Sequence, residues 1–235
     1  MYPQINEFVS LLHEKRISSF LVTNAQFPQE IRNLVPVTQL YVSIDAGNKE
    51  DLKKVDRPLF KDFWERYIDC LDALKEKGQR TVYRLTLVKE FNTEQVASYA
   101  SLVSRGLPDL IEVKGMTFCG FSGSQPLTMK NVPYHTDVVN FCQELVEAVG
   151  NNYELACVHE HSCSVLLAHK KFKIDGEWHT WIDYEKFHDL IASGQKFSTM
   201  DYLMKTPKWA VFGSKEKGFD PNETRYYRKK VAKEE

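Results

Sequence analysis

Lysines at the ends of apolar runs are the residues of this chain with the most distinctive chemistry. Lys114 stands two residues after Glu112 in the run 109–118, and Lys89 follows the run 81–88. If these runs are β-strands, their ends are partly desolvated, and a lysine there can lose its proton and form a Schiff base with a carbonyl compound. Because Lys114 and Glu112 share one face of their strand, an ion pair between them is the alternative interpretation.

Other polar side chains also stand where apolar runs end. Asn24 ends the first run, Ser43 and Asp45 end the second, and Asn92 lies just beyond the third. In parallel α/β folds, ligands bind beyond the carboxyl ends of the strands. Amide, hydroxyl and carboxylate groups there could hydrogen-bond a ribose and an amino-acid moiety. Polar strand ends that only meet solvent are the alternative.

The segment 157–163 alternates cysteine and histidine in a pattern that suggests a metal site, with Cys157, His159, His161 and Cys163 at every second position. On a straight strand these side chains are spaced about 6.6 Å apart. A tetrahedral zinc ion with bonds of about 2.0 to 2.3 Å needs its ligands much closer together. We therefore predict no metal site here, and expect the histidines to line a pocket or to satisfy buried partners.

Basic residues are concentrated near the end of the chain. Arg225, Arg228, Lys229 and Lys230 stand together with two tyrosines between them. The net charge of -1 gives no general attraction to nucleic acid, so an RNA site has to be a local patch of this kind. A solvated tail without a partner is the alternative.

Apolar runs alternate with segments of helical period, which predicts an α/β fold with a parallel sheet and helices outside it. The predicted strands cover 19–24, 39–45, 81–88 and 109–118. The predicted helices cover 2–16, 28–34, 59–77 and 93–105, with another that Pro133 opens. Beyond residue 150 the pattern predicts a strand at 153–173, a hairpin turn at 174–177, a returning strand at 178–182 and a helix at 184–193.

This change of pattern predicts two domains, a barrel-like domain at 1–150 and an extension at 151–235. The first helix has no strand before it, so we expect the fold to start in the middle of a barrel and the chain to be truncated. Five scattered cysteines are typical of a reduced, cytoplasmic protein rather than of a disulfide framework. No apolar run is long enough to cross a bilayer, and the first residues show no signal-peptide pattern.

Several longer segments resemble one known family. They are FLVTNAQFPQEIRNL, TQLYVSIDA, DRPLFKDFWER, RTVYRLTLVKEFN, IEVKGMTFCG, FKIDGEWHTWIDY and TPKWAVFG. In this order they resemble the eukaryotic form of 4-demethylwyosine synthase, a radical-SAM enzyme that modifies tRNA. The resemblance extends from Met1 to about Arg228, which is nearly the whole chain.

The resemblance implies a partial (β/α) TIM-like radical-SAM barrel that lacks its first strands, followed by a C-terminal α+β extension. It implies a carbon–carbon lyase of wybutosine biosynthesis that uses S-adenosyl-L-methionine and a [4Fe-4S] cluster. A 5′-deoxyadenosyl radical would remove hydrogen from the methyl group of N1-methylguanosine in phenylalanine tRNA. Addition of two carbons from pyruvate and ring closure would then give 4-demethylwyosine.

Carried over to this sequence, the resemblance implies that Asn24, Ser43 and Asp45 line the cofactor pocket. It implies that Lys114, with Lys89 as the second candidate, meets pyruvate. The basic residues of the C-terminal tail would then contact the tRNA.

The sequence also departs from the family pattern. The family's C-x-x-x-C-x-x-C motif, its Gly-Glu-Pro segment, the cysteines of a second cluster and a flavodoxin-like electron-donor domain are absent. An iron–sulfur cluster needs thiolate ligands, so we expect this chain to be inactive by itself. The alternatives are a non-catalytic RNA-binding or scaffold remnant of the family and a small metal-binding protein centred on 157–163.

Overall fold

The main feature of the fold is one six-stranded sheet with the strand order β1-β2-β3-β4-β6-β5. The computed structural model describes residues 2–120 and 127–216. Strands β1 to β4 run parallel, whereas β6 is antiparallel to both β4 and β5. The six strands are β1 (Phe20–Thr23), β2 (Gln39–Ser43), β3 (Arg80–Leu87), β4 (Leu110–Gly115), β5 (Tyr153–His159) and β6 (Ser164–His169).

Helix α1 (Ile5–Glu14) precedes β1. The crossovers that parallel neighbours require contain α2 (Pro28–Asn33), α3 (Lys49–Asp56), α4 (Phe63–Leu74) and α5 (Val96–Gly106). Helix α6 (His135–Val149) follows β4 and leads to β5. Apolar periodicity does not predict α3, because Leu52 is its only buried residue and no apolar stripe marks it. This helix starts instead from a polar cap, in which the Asn48 side chain accepts a hydrogen bond from the backbone N–H of Asp51 at 3.0 Å.

One face of the sheet packs against the helices and forms the core. Leu85 of β3 and Ile111 and Val113 of β4 point to this face and are fully buried. They meet apolar residues of α4, α5 and α6, including Tyr67 and Leu145. From Tyr83 of β3 and Ile111 of β4 onward, buried and less buried residues alternate, as the two-residue period of a strand predicts.

The opposite face, which we call the inner face, carries Tyr41, Ser43, Arg84, Glu112 and Lys114. Strand pairing places Ser43 beside Arg84 and Arg84 beside Glu112, so a hydroxyl and two charged groups form a row across three strands. All five side chains are only partly buried. The side chains of the inner face are therefore partly exposed, whereas those of the helix-packed face are buried.

The remaining elements form an extension that covers one end of the inner face. They are β7 (Lys173–Ile174), β8 (Glu177–Trp178), β9 (Trp181–Ile182), α7 (Tyr184–Ser193) and β10 (Leu203–Met204). Trp178 is buried against Val82 and Leu110 of the sheet. Trp181, in contrast, is 44% exposed.

The predicted α/β fold, a parallel sheet of barrel type with a C-terminal extension, is confirmed. The single strand predicted at 153–173 is wrong, because the chain reverses at Glu160–Ser162 and returns as β6. Cys163 permits this reversal with a positive φ of 52°. The domain boundary at residue 150 stays a prediction, although β5 and β6, which lie beyond it, extend the same sheet.

Candidate active site

The three residues predicted to hold the cofactor lie at or just beyond the carboxyl ends of β1 and β2. Asn24 follows β1 and is exposed, Ser43 is the last residue of β2, and Asp45 lies two residues further. Burial raises the pKa of Asp45, and the nearby Arg84 guanidinium partly offsets this rise. A hydroxyl, an amide and a desolvated carboxylate at one edge of the sheet suit a polar ligand with several hydroxyl or amino groups.

Two groups that the sequence analysis did not single out lie close to Asp45. Desolvation and then the charge of Asp45 raise the pKa of Asp56 to about 6. The hydroxyl of Tyr67 is buried and has no hydrogen-bond partner among the described residues. Burial is the main cause that raises its pKa, and the charges of Asp45 and Asp56 add to it. Tyr67 lies in an apolar helical stripe, so no sequence signal separated it from the core.

Lys114 points to the inner face, where its strand neighbours are Thr86 of β3 and Ser164 of β6. The alternative of an ion pair between Lys114 and Glu112 is wrong for this structure. Glu112 instead pairs with Arg84, at 3.8 Å between Oε1 and Nε. Within residues 2–120 and 127–216, Lys114 forms no ion pair. Its ammonium group therefore remains available on the inner face.

Lys89, the second predicted lysine, has a different environment. Its Nζ lies 3.4 Å from Oδ2 of Asp137 and 5.7 Å from the centre of the Tyr134 ring. Its backbone is also fixed, because its N–H donates to the carbonyl of Asn131 at 2.9 Å. An ammonium that is already paired with a carboxylate is less available to a second anion than that of Lys114.

His159 of the 157–163 segment forms a hydrogen bond inside the protein, and its ring lies edge to face with that of His161 at 6.2 Å. Nδ1 of His159 lies 2.7 Å from Oγ of Ser162, which in turn lies 2.8 Å from Oγ of Ser164. His159 and Ser164 also line a cavity of about 450 Å³ on the inner face. His159 therefore lines a pocket, as expected of the histidines of this segment, whereas His161 is not among the residues that line this cavity.

The cysteines do not fit an iron–sulfur cluster. Cys70 and Cys142 are buried in α4 and α6, on the helix-packed face, where burial raises the pKa of Cys70 to about 12. Cys157 and Cys163 lie on opposite sides of the β5–β6 reversal. In the part of the chain that the structure describes, no three His, Cys, Asp or Glu side chains converge to hold a metal ion. The residues present therefore offer no set of ligands for a [4Fe-4S] cluster.

Two further predictions concern the chain as a whole. Arg225, Arg228, Lys229 and Lys230, predicted to contact RNA, lie outside the described residues. None of the described helices has both the length and the apolar character needed to cross a membrane.

Comparison with known proteins gives the site its context. Residues 1–103 match the family model of the radical SAM superfamily, and residues 105–169 match that of wyosine base formation. The S-adenosyl-L-methionine-dependent tRNA 4-demethylwyosine synthase TYW1 of Xenopus laevis is 60% identical over 100% of this chain. The corresponding enzyme of Arabidopsis thaliana is 61% identical over 96% of it. The chain spans 32% and 35% of the lengths of these two relatives, about a third.

Solved structures agree with these matches. A structure of TYW1 with a lysine-pyruvate adduct bound is 27% identical and superimposes with a TM-score of 0.65, over 74% of this chain and 55% of that one. A crystal structure of archaeal TYW1 is 26% identical with a TM-score of 0.60 over the same shares. The chain belongs to the radical-SAM family of tRNA 4-demethylwyosine synthases.

Proposed function

We propose that this chain forms the substrate-binding part of a tRNA 4-demethylwyosine synthase. The observation that carries this proposal is the identity of 60% with the Xenopus laevis enzyme along the entire chain. The reaction would join N1-methylguanosine of phenylalanine tRNA to a two-carbon unit of pyruvate and close a third ring. S-adenosyl-L-methionine would supply the radical chemistry. The thiolates for the [4Fe-4S] cluster would have to come from outside the described residues.

Asn24, Ser43 and Asp45 are the proposed contacts of S-adenosyl-L-methionine. Their placement at the carboxyl ends of neighbouring parallel strands supports this role. The Asn24 amide and the Ser43 hydroxyl can each donate and accept a hydrogen bond, whereas the ionised Asp45 carboxylate only accepts. Such a set can bind the hydroxyl groups of a ribose and the amino group of an amino acid.

Lys114 is the proposed contact of pyruvate. Its ammonium has no carboxylate partner among the described residues, and it lies on the same face as the cofactor contacts. It can bind the pyruvate carboxylate as a cation or, after losing a proton, attack its ketone. One solved TYW1 structure has a lysine-pyruvate adduct bound, which supports a lysine as the partner of pyruvate. Lys89 remains the second candidate because Asp137 already pairs with it.

The tRNA contacts are assigned to the basic tail, with Arg225, Arg228, Lys229 and Lys230 on the phosphates. Electrons would come from a flavodoxin-like donor, as the family resemblance implies. The cytoplasm is the proposed location, because it holds tRNA and keeps cysteines such as the five free ones of this chain reduced.

A graft tests the proposed function. This chain replaces the matching third of the Xenopus laevis enzyme, and the tRNA of cells that lack their own synthase is digested and analysed by mass spectrometry. We expect 4-demethylwyosine in the digest. Absence of the product from a stably expressed graft would contradict the assignment and favour a non-catalytic RNA-binding role.

Trapping with cyanoborohydride tests Lys114. The chain is incubated with pyruvate and the reductant, and peptides are searched for a lysine that carries reduced pyruvate. We expect the adduct at Lys114, its loss in Lys114→Arg, and no change in Lys53→Arg, which alters an exposed lysine of α3. A wild-type chain without an adduct at Lys114 would remove the covalent role and leave only ionic binding.

A further inference from the structure

One turn beside the proposed cofactor contacts presents an apolar side chain to solvent. It comprises residues 57–60, in the connection from α3 to α4, and its residue Leu59 is 90% exposed. No other large hydrophobic residue among those that the structure describes is exposed to this degree. Single exposed leucines are common on protein surfaces, so the meaning of this one depends on where the turn lies and how it is held.

The turn lies at the carboxyl ends of the parallel strands. Arg57 and Leu59 line a cavity of about 260 Å³ together with Asn24, the proposed cofactor contact that follows β1. Asp56, which lies close to Asp45, lines the same cavity. Leu59 therefore borders the edge of the sheet at which ligands of parallel α/β folds bind.

Packing against the rest of the protein holds the turn in place. The Phe60 ring packs edge to face against that of Phe27, with 5.7 Å between the ring centres. The guanidinium of Arg66 lies 4.2 Å from the centre of the Phe60 ring. The pyrrolidine ring of Pro58 also fixes its backbone φ. Leu59 is thus exposed on a turn that its neighbours anchor.

Two cations stand beside the exposed leucine. Arg57 and Lys61 are both exposed, and neither forms an ion pair within residues 2–120 and 127–216. Free cations next to an apolar side chain suit a single-stranded nucleic acid, in which phosphates alternate with flat, apolar base faces.

We propose that Leu59 inserts between unpaired bases of the tRNA, next to the target guanosine, and keeps that guanosine turned out toward the cofactor. Arg57 and Lys61 bind the adjoining phosphates. This proposal rests on the proposed function and adds a residue that positions the base. Enzymes that act on a base take it out of the stack, and proteins that separate stacked bases insert apolar side chains as wedges. A leucine on an anchored turn suits this role, because it gives up no burial when it inserts.

A fluorescent tRNA tests the insertion directly. Phenylalanine tRNA is prepared with 2-aminopurine beside the target guanosine, because this base fluoresces more strongly when it is unstacked. Binding of the full chain is followed separately by the anisotropy of a dye at the end of the tRNA. We expect the wild-type chain to raise the 2-aminopurine fluorescence, and Leu59→Ala to bind the tRNA without this rise. Leu59→Met should restore the rise, because its side chain is apolar and of similar volume.

Two further variants serve as controls. Leu107 is also exposed, at 51%, but it lies between α5 and β4, at the amino ends of the strands. Leu107→Ala should therefore keep the full rise. Arg57→Ala should weaken binding and reduce the slope of log affinity against log salt concentration by about 0.7 to 0.9, as expected for one lost phosphate contact. At saturation it should keep the rise.

Three results would overturn the proposal. They are a wild-type chain that does not bind the tRNA, binding without a rise in 2-aminopurine fluorescence, and a rise that survives Leu59→Ala.

The grafted enzyme separates this proposal from the proposed function. In the Xenopus laevis graft, Leu59→Ala should lower kcat by about tenfold or more with little change in the KM for tRNA, because unstacking a base costs at least that factor. If this variant makes 4-demethylwyosine at the wild-type rate, Leu59 does not position the base and the function still stands. If the graft without this substitution makes no product, the function falls, whereas the labelled tRNA still reports whether Leu59 separates bases.

Discussion

The helix-packed face and the inner face of the sheet differ in burial and in polarity. On the helix-packed face, Leu85 and Val113 are almost fully buried among apolar neighbours. On the inner face, one residue further along each strand, Thr86 and Lys114 remain partly exposed. The first face supplies stability through apolar burial, whereas the second leaves hydrogen-bonding and charged groups free for ligands. Substitutions on the two faces should therefore separate into effects on stability and effects on binding.

Two neighbouring residues of β3 should differ most in their effect on the free energy of unfolding. Leu85→Ala should lower the free energy of unfolding by about 2 to 5 kcal/mol, because it removes buried methyl groups and leaves a cavity. Thr86→Ala, on the inner face, should change it by about 0.5 kcal/mol or less. Urea denaturation of the two variants checks this. Similar midpoints for both would mean that the inner face is also part of the core.

Arg80 is the exception to the open inner face, because the extension covers it. Its guanidinium donates to the carbonyls of Thr180 and Trp181, at 2.5 and 3.2 Å, and only 1% of the residue is exposed. Arg80→Ala should cost about 2 to 3 kcal/mol, since it leaves both carbonyls without this charged donor. Arg80→Lys should restore only part of that loss, because an ammonium lacks the forked geometry of a guanidinium.

Limited proteolysis locates this effect. Cleavage within 170–212 should become faster in Arg80→Ala than in the wild type, while the β1–β4 region stays protected. Uniform acceleration along the chain would instead indicate global unfolding, and would contradict a specific role of Arg80 in holding the extension.

Two buried histidines where α1 contacts α7 should make the free energy of unfolding depend on pH. His13 and His188 are both buried, with their rings 5.9 Å apart, and each bonds a serine through Nε2. Burial lowers the pKa of His13, and the charge of His188 lowers it further. Burial also lowers the pKa of His188, followed by the charge of Arg16, against the opposing effect of two carboxylates of α7.

The direction of this pH dependence follows from whether the folded or the unfolded state binds more protons. Below an unfolded pKa of about 6.5, the unfolded chain binds protons that the folded imidazoles resist, so stability falls as the pH decreases. The slope should not exceed about 1.4 kcal/mol per pH unit for each imidazole. Urea titrations at pH 7.5 and 5.5 measure the loss, and His188→Gln should reduce it. A slope that is unchanged in this variant would show that other groups dominate.

The elements of the helix-packed face were easier to predict from the sequence than the groups of the inner face. Apolar periodicity located β1 to β4, and it gave α7 its observed bounds of Tyr184–Ser193. It failed at α3, which a polar cap begins, and at 153–173, where Cys163 turns the chain with a positive φ that no residue type announced. Apolar periodicity in a sequence indicates which residues are buried. It does not predict elements that depend on a polar helix cap or on a chain reversal.

The candidate site was predictable only in part for the same reason. Strand ends located Asn24, Ser43 and Asp45, because position along a strand is visible in the sequence. The partner of Glu112 was not predictable, since Arg84 comes from the neighbouring strand and its place beside Glu112 depends on the register of β3 against β4. Tyr67 was hidden within an apolar stripe, although its hydroxyl has no partner in the described structure.

The smallest expected effect on stability belongs to Glu112 on the inner face. Glu112→Gln should change the free energy of unfolding by about 0.5 kcal/mol or less, because a pair of 3.8 Å between partly exposed groups contributes little. Urea denaturation beside Leu85→Ala checks this on one scale. If Glu112→Gln were instead strongly destabilising, the carboxylate would be holding Arg84 and Tyr41 in place. The inner face would then be a second packed face, and its charged row would owe its presence to folding rather than to ligands.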